Sequence, residues 1–372
     1  MIRKSLLLFC LFVVCLSVCA QRTHSLEVKL YGGSTIPHRS GMGSLLHTTA
    51  GGELNYYFST RSDDFYDVKY RYPQHGFGLN YNYLGSPDVL GSAISAYSFM
   101  DIDMFSNEHF RLGTRINAGL AYLTRRYDRI ENPENIAVST PICFYFSFGF
   151  DFAFTLPDGF ELKLMPMFMH YSNGAVRKPN LGLNQAVLSL AVSKDIAQRE
   201  YTKERRNYVE GLSPHEAWAF GTCVSSDEYS VGYNGRGGGF ICSTVAAGYS
   251  YQYGKIGKVG ASLDMFYNEN LKYYFDERNN VLVQQYEKFG DVVRLGFCVG
   301  HQLVYRRFEL VSYVGMYVYN KVKKNDWVYT RIGGRYYVTN FMFVNLTLKA
   351  MGFKAHFIEC GLGFSCRKWK KD

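Results

Sequence analysis

Along most of this chain apolar and polar residues alternate one by one, the period of a β-strand whose successive side chains point to opposite faces. The segment from Phe110 to Tyr122 is the plainest case. Phe110, Leu112, Thr114, Ile116, Ala118, Leu120 and Tyr122 share one face; Arg111, Gly113, Arg115, Asn117, Gly119 and Ala121 share the other. Two arginines on one strand face have no place in an apolar soluble core, where burying an unpaired charge is prohibitive. They fit a barrel in lipid, which turns its apolar face outward and packs the polar one into a lumen. Between Ser25 and Lys194 such segments are expected near 25–36, 52–60, 75–85, 91–104, 109–124, 138–156, 158–172 and 183–194. Eight strands close a small barrel filled by side chains. Leu156-Pro157-Asp158-Gly159 reads as a tight turn, whereas 125–137 and 174–182 read as longer polar loops. Short periplasmic turns are thus expected to alternate with long exterior loops.

From Ala197 to Leu212 the alternation gives way to a charged stretch, AQREYTKERRNYVEGL, which reads as a linker or a short surface helix. From His215 to Cys366 about eight strands resume, among them Val293 to Val299, Phe308 to Val318 and Val344 to Ala350. The fold class expected is all-β: an antiparallel outer-membrane β-barrel of about eight strands over 21–196, a linker over 197–212, and a second barrel-like domain over 213–372. A faint echo joins the halves in order. FRLGTRINAGLAYL at 110–123 resembles FELVSYVGMYVY at 308–319, ELKLMPMF at 161–168 resembles NLTLKAMGF at 345–353, and VLSLAVSKD at 187–195 resembles CGLGFSCRK at 360–368. The second half is therefore read as a degenerate duplication. One barrel of about sixteen strands, or a barrel followed by a soluble β-domain, are the alternatives.

Composition refines this picture at three points. Arg3 and Lys4, an apolar run from Leu6 to Val18 and Val18-Cys19-Ala20 form a secretory signal over 1–20, with cleavage expected after Ala20; Leu16 to Cys19 also has the outline of a lipoprotein box. No other long apolar run follows, so an exported chain of this kind crosses a membrane as strands if it crosses at all. The net charge of +9 is spread along the chain rather than gathered into a stripe, which argues against nucleic acid as a partner. The six cysteines beyond the signal, Cys143, Cys223, Cys242, Cys298, Cys360 and Cys366, lack metal-ligand spacing and read mostly as small strand fillers. Neither a metal nor a cofactor is implied.

The stretch from Phe160 to Val192 holds the candidate chemistry. Phe160, Leu162, Leu164, Pro166, Phe168, His170 and Ser172 lie on one strand face, opposite Glu161, Lys163, Met165, Met167, Met169 and Tyr171. Glu161 and Lys163 need the lumen, so His170 and Ser172 face outward. On the returning strand Asn184 is in phase with apolar Ala186, Leu188, Leu190 and Val192. The hairpin thus brings three polar residues to one outward face, and polar groups on a lipid face are functional by default. Their chemistry is that of a serine esterase: Ser172 as nucleophile, His170 as general base, Asn184 holding the imidazole, and Asn173 with the loop amides near Gly174 and Ala175 as oxyanion donors. Arg177 and Lys178 are placed to meet phosphate groups.

The run HYSNGAVRKPNLGLN, from His170 to Asn184, resembles the motif of the outer-membrane lipid A 3-O-deacylase (PagL) family, through His-x-Ser-Asn, Lys178-Pro179-Asn180 and Gly182. The resemblance implies an eight-stranded barrel that hydrolyses the 3-O-acyl ester of lipid A, with Ser172, His170 and Asn173 in the roles above and lipid A of the outer leaflet as partner. It covers the first half of the chain; the second half lacks the motif. At position 184 the family's Glu is replaced by Asn, and a Ser-His-Asn set is similar to outer-membrane phospholipase A. That enzyme's calcium and arginine pattern is not evident, since Ala175 stands where the Arg would be. Phospholipid hydrolysis and a non-catalytic structural or transport barrel are the alternative functions, and a homodimer or an intrachain pseudo-dimer the expected assemblies.

Overall fold

A strand in hydrocarbon must pair both of its edges, because no water is present to satisfy them. In the computed structural model two sets of eight strands each do so by closing into a ring. The structure describes residues 21–199, 214–226 and 239–367, apart from 39–40, 46, 63, 277, 280, 323–326 and 352–353. The signal at 1–20 and residues 200–212 of the expected linker lie outside the described residues.

The first ring consists of β1 (Gln21–Ile36), β2 (Thr48–Arg61), β3 (Gln74–Tyr83), β4 (Ser92–Ser106), β5 (Phe110–Leu123), β6 (Ile142–Leu156), β7 (Phe160–Ser172) and β8 (Leu183–Arg199). Each strand pairs antiparallel with its neighbours in sequence, and β8 returns to β1. The second ring consists of β9 (His215–Ser226), β10 (Phe240–Gln252), β11 (Gly257–Asn268), β14 (Val293–Tyr305), β15 (Phe308–Asn320), β16 (Val328–Tyr337), β17 (Met342–Met351) and β18 (Lys354–Cys366), with β18 back against β9. Between β11 and β14 a two-stranded ribbon, β12 (Tyr273–Asp276) and β13 (Val281–Gln284), stands outside the ring. Two closed rings of eight are the expected architecture, and the alternative of a single barrel of about sixteen strands is set aside. The strands matched by the sequence echo hold the same ordinal place in each ring: β5 and β15 are fifth, β7 and β17 seventh, β8 and β18 eighth.

Alternation decides the faces. Arg111, Arg115, Asn117 and Ala121 on β5 are buried, and Tyr122 is exposed. Charges fill the first lumen in opposed pairs. Arg115 meets Glu27 at 2.5 Å and Asp101 at 2.6 Å, Lys163 meets Glu27 at 2.9 Å, and Lys29 meets Glu53 at 2.7 Å, all without solvent exposure. Above this layer Tyr31, Tyr97, Tyr145 and Tyr171 pack with Met165, Met167 and Met169. The second lumen is built alike: Arg331 bridges Glu359 (2.6 Å) and Asp264 (3.1 Å), and Lys258 lies 2.8 Å from Glu216. Cys143, Cys242 and Cys298 are buried fillers, and Cys223, Cys360 and Cys366 are exposed.

Two details depart from the expected layout. β8 continues to Arg199, three residues into the segment read as a linker. The β2–β3 connection, on the short-turn side, is long and carries a helix, α1 (Phe65–Lys69). That helix spans the gap between the barrels. Asp67 and Asp64 receive Arg306 at 2.6 and 3.7 Å, the Tyr66 hydroxyl donates to the Lys255 carbonyl at 3.0 Å, and the Tyr70 hydroxyl donates to the Val304 carbonyl at 3.3 Å.

Removing one member of a buried charge network leaves its partners desolvated and unpaired, at about 3–5 kcal/mol. Arg115→Leu, which strands Asp101 and leaves Glu27 with Lys163 as its nearest cation, is expected to destabilise the first barrel by that order. Denaturant unfolding in detergent micelles, followed by circular dichroism, checks it; an unchanged midpoint would mean the network is dispensable.

Candidate active site

The site lies where β7 ends and β8 begins, on the outer wall. In the β7–β8 register His170 stands directly opposite Asn184, and cross-strand neighbours on one face are about 4.5–5.5 Å apart at Cβ. Their side chains close that gap: His170 Nδ1 is 2.5 Å from Asn184 Oδ1. An amide oxygen can only accept, so Nδ1 carries the proton and Nε2 is left as the acceptor nitrogen. Ser172, two residues on, shares the outward face. Tyr171 between them points the other way into the lumen, fully buried, with its hydroxyl accepting from Asn82 Nδ2 at 2.9 Å and its ring 5.2 Å from that of Tyr145. That buried anchor fixes the outward direction of both neighbours. Neither nitrogen of His170 is hydrogen-bonded to Ser172 Oγ; such bonds are commonly long before substrate binds.

The loop after Ser172 supplies donors. The Gly174 N–H donates to Ser172 Oγ at 3.2 Å, and Asn180 Nδ2 donates to the same oxygen at 2.9 Å. Asn180 Oδ1 in turn accepts from the Asn173 N–H at 3.0 Å. The Asn173 side chain, expected as an oxyanion donor, makes no hydrogen bond to Ser172. It is buried under the loop, giving Nδ2 to Ser139 Oγ at 3.2 Å and to the Arg177 carbonyl at 2.7 Å. The reason is local. After the last strand residue the two-residue period no longer applies, and Gly174 and Ala175, at φ of 64° and 65°, reverse the chain immediately. Asn180 takes up the position that Asn173 leaves.

The β5–β6 loop buttresses this arrangement. The Gly182 N–H donates to the Ala137 carbonyl at 3.0 Å and the Leu181 N–H to the Ile136 carbonyl at 3.2 Å. That loop is itself held by buried Asn132 and Asn135, each donating to the Val89 carbonyl at 2.9 Å. In sequence these asparagines look like ordinary loop residues. Arg177 is exposed at the loop's crest and Lys178 is half-buried beside it. Flanking the polar cluster, Phe144 and Phe146 of β6 stand opposite Ser172 and His170, and Ile36 of β1 stands opposite Asn184. Polar groups therefore sit at the centre of an apolar, lipid-facing surface. Among the described residues no cluster of His, Cys, Asp or Glu could hold a metal ion.

Comparison with known proteins bears on this hairpin directly. The family model for lipid A 3-O-deacylase (PagL) matches residues 50–193, and that for the acyloxyacyl hydrolase C-terminal domain (PagL_C) matches residues 216–369. The chain belongs to the PagL family. It is accordingly an ester hydrolase of the outer membrane, of the class that deacylates lipid A. No curated protein matches the chain. Among solved structures, the outer-membrane enzyme PagL is 17% identical with a TM-score of 0.31, over 46% of this chain and 99% of that one. Neisserial surface protein A is 9% identical with a TM-score of 0.30, over 46% and 97%. The P. putida toluene transporter TodX is 9% identical with a TM-score of 0.18, over 95% and 91%. At these scores the solved structures add nothing to the barrel closure already visible in the chain's own pairing.

Gly182 tests the packing around the histidine. It has φ of 79°, and a β-carbon there would stand 2.9 Å from His170 Cε1. Gly182→Ala is expected to push the ring off Asn184 and lower lipid A deacylation about tenfold or more, since small displacements of reacting groups are costly. Hydrolysis assays beside a check of barrel folding by gel mobility decide it; full activity in a folded variant would show that the ring tolerates the crowding.

Proposed function

We propose that this PagL-family barrel removes the 3-O-linked acyl chain of lipid A through a Ser172–His170–Asn184 triad. The observation that carries the reading is the His170–Asn184 contact of 2.5 Å at directly opposed register positions, with Ser172 on the same outward face. In the first half-reaction His170 Nε2 takes the Ser172 Oγ proton as Oγ adds to the ester carbonyl carbon. The carbonyl oxygen becomes an oxyanion, for which the Gly174 N–H and Asn180 Nδ2 are the donors. Collapse breaks the bond to the sugar oxygen, which leaves with the proton from Nε2, and an acyl-Ser172 ester remains. Water, deprotonated by the same nitrogen, then releases the fatty acid and regenerates Ser172.

Asn184 orients the imidazole without adding charge, so it stabilises the imidazolium less than a carboxylate would. Phe144, Phe146 and Ile36 give the acyl chain an apolar wall beside the reacting carbon. Arg177 and Lys178 sit at the loop's crest, where the phosphates of a lipid A molecule in the outer leaflet would pass, and charge-assisted contacts to phosphate are strong ones. Asn173, buried under the loop, supports the donors rather than acting as one. The phospholipase alternative draws on Asn184 alone.

Purified protein in detergent should release a hydroxy fatty acid from lipid A, and Ser172→Ala should abolish release while the barrel stays folded. Release from phospholipid vesicles only, dependent on calcium, would overturn the substrate assignment. Asn184→Ala is expected to lower kcat by on the order of 100-fold, less than the ~10⁴-fold seen when a triad carboxylate is made neutral. Asn184→Glu is expected to exceed the wild type. Steady-state kinetics reads both, and an unaffected kcat in Asn184→Ala would remove that residue from the triad.

A further inference from the structure

The wall of the second barrel is incomplete on the side of the first barrel's site. β18 pairs with β9 only from Gly361–Thr222 to Cys366–Ala217. Towards the long-loop end, Cys223–Ser226 of β9 and Lys354–Cys360 of β18 keep their other partners, β10 and β17, but are not paired with each other. The Gly174–Ala175 turn of the first barrel is docked at this break. Ser226 Oγ, buried, donates to the Ala175 carbonyl at 2.7 Å. Ile358, on the outward face of β18, lies against Gly174 so closely that any β-carbon on residue 174 would overlap its Cδ1 and Cγ1. Gly174 and Ala175 are themselves buried, although they follow the strand at the rim of their barrel.

The turn held in this way needs holding. Ala175 has φ of 65°, a conformation that costs a non-glycine residue of order 1 kcal/mol and persists only when its surroundings over-determine it. It directly follows Gly174, whose N–H points at Ser172 Oγ. Relaxing Ala175 to the ordinary region would rotate the Gly174–Ala175 peptide against the carbonyl that Ser226 holds and, because Gly174 is itself at φ of 64°, loosen the preceding peptide that carries that N–H. Within the first barrel the Val176 N–H closes the turn on the Asn173 carbonyl at 3.3 Å, and Asn173 is itself bonded to Asn180 and the Arg177 carbonyl; the described hydrogen bond on the Ala175 carbonyl comes from the second barrel.

We propose that the second barrel is a positioning element of the esterase site: the β9–β18 break seats the Gly174–Ala175 turn, and Ser226 and Ile358 fix the Gly174 amide on the nucleophile. The inference rests on the triad reading above for its catalytic consequence, though not for the contact. It gives the motif-free half of the chain a task in the same reaction. Ser226 and Ile358 touch no substrate atom in this account; they act through the turn.

The test uses the full chain in detergent micelles, with Ser226→Ala, Ser226→Thr and Ile358→Ala, and two readouts. Hydrogen exchange at the amides of 174–176, read by mass spectrometry, is expected to quicken about tenfold in Ser226→Ala and Ile358→Ala and to return towards wild type in Ser226→Thr. On lipid A, kcat is expected to fall about tenfold in the first two, below the ~100-fold that a 1 Å misplacement can cost, with KM within twofold and kcat restored by Thr. Unchanged exchange in the folded Ser226→Ala variant and in Ile358→Ala would overturn the proposal. So would a loss confined to KM, or one that Thr does not repair. If the wild type fails to hydrolyse lipid A, the triad reading fails by itself, and the exchange experiment still decides whether the second barrel holds the turn.

Discussion

In hydrocarbon an unpaired strand edge is untenable, and each half of this chain meets that constraint by closing on itself. Closure at eight strands leaves an interior just wide enough for side chains, and here it is taken up by Arg115, Lys163, Lys29 and their carboxylates below a tyrosine and methionine layer. A lumen so filled admits no lipid. Chemistry on a lipid therefore has to be carried by the outer wall, and the two-residue period that sends Tyr171 inward is what sends His170 and Ser172 outward. The register that pairs His170 with Asn184 follows from the same hairpin. A slip of one residue would turn Asn184 into the lumen and Leu183 outward.

How far the sequence carries is set by which interactions are local. The strands and their faces are legible because alternation is written residue by residue, as in Arg111, Arg115 and Asn117 against Ile116 and Tyr122. Partner choice between distant strands is not written locally. Whether β8 closes on β1 or continues into β9 depends on edges far apart in the chain, so one ring of sixteen strands and two rings of eight look alike until the pairing is seen. The echo between β5, β7, β8 and β15, β17, β18 favours two rings, and the pairing places each echoed strand at the same ordinal position.

Within the site the same division holds. His170, Ser172 and Asn184 are in strands, and their common face follows from phase alone. Asn173 and Asn180 are in the loop, where side-chain direction is set by backbone reversal at Gly174 and Ala175 rather than by period. Motif and spacing suggest Asn173 as an oxyanion donor; in the structure its side chain lies under the loop, and the side chain that donates to Ser172 Oγ is that of Asn180. Asn132, Asn135 and Ser139 in the β5–β6 loop are just as hard to anticipate. Their amides and hydroxyl are spent on carbonyls distant in sequence, and nothing in a run of polar loop residues distinguishes such a buttress from a solvated surface.

The neutral residue at position 184 ties these observations together. A carboxylate opposite His170 would have to be desolvated on an outer wall, with Ile36 and Ala186 as its neighbours on that face; an amide is far less costly to put there. The same neutrality leaves less electrostatic support for the imidazolium in the proposed mechanism. More of the transition-state stabilisation then falls on the donors to the developing oxyanion, and these act only when pre-aligned, because a donor that must reorganise during the reaction loses most of its effect. The Gly174 amide is one of those donors and is attached to a residue in an unfavourable conformation. A second barrel that holds the Ala175 carbonyl and packs against Gly174 meets this need at the residue that the first barrel's own loop contacts, made through Asn173, Asn180 and Gly182, leave to it.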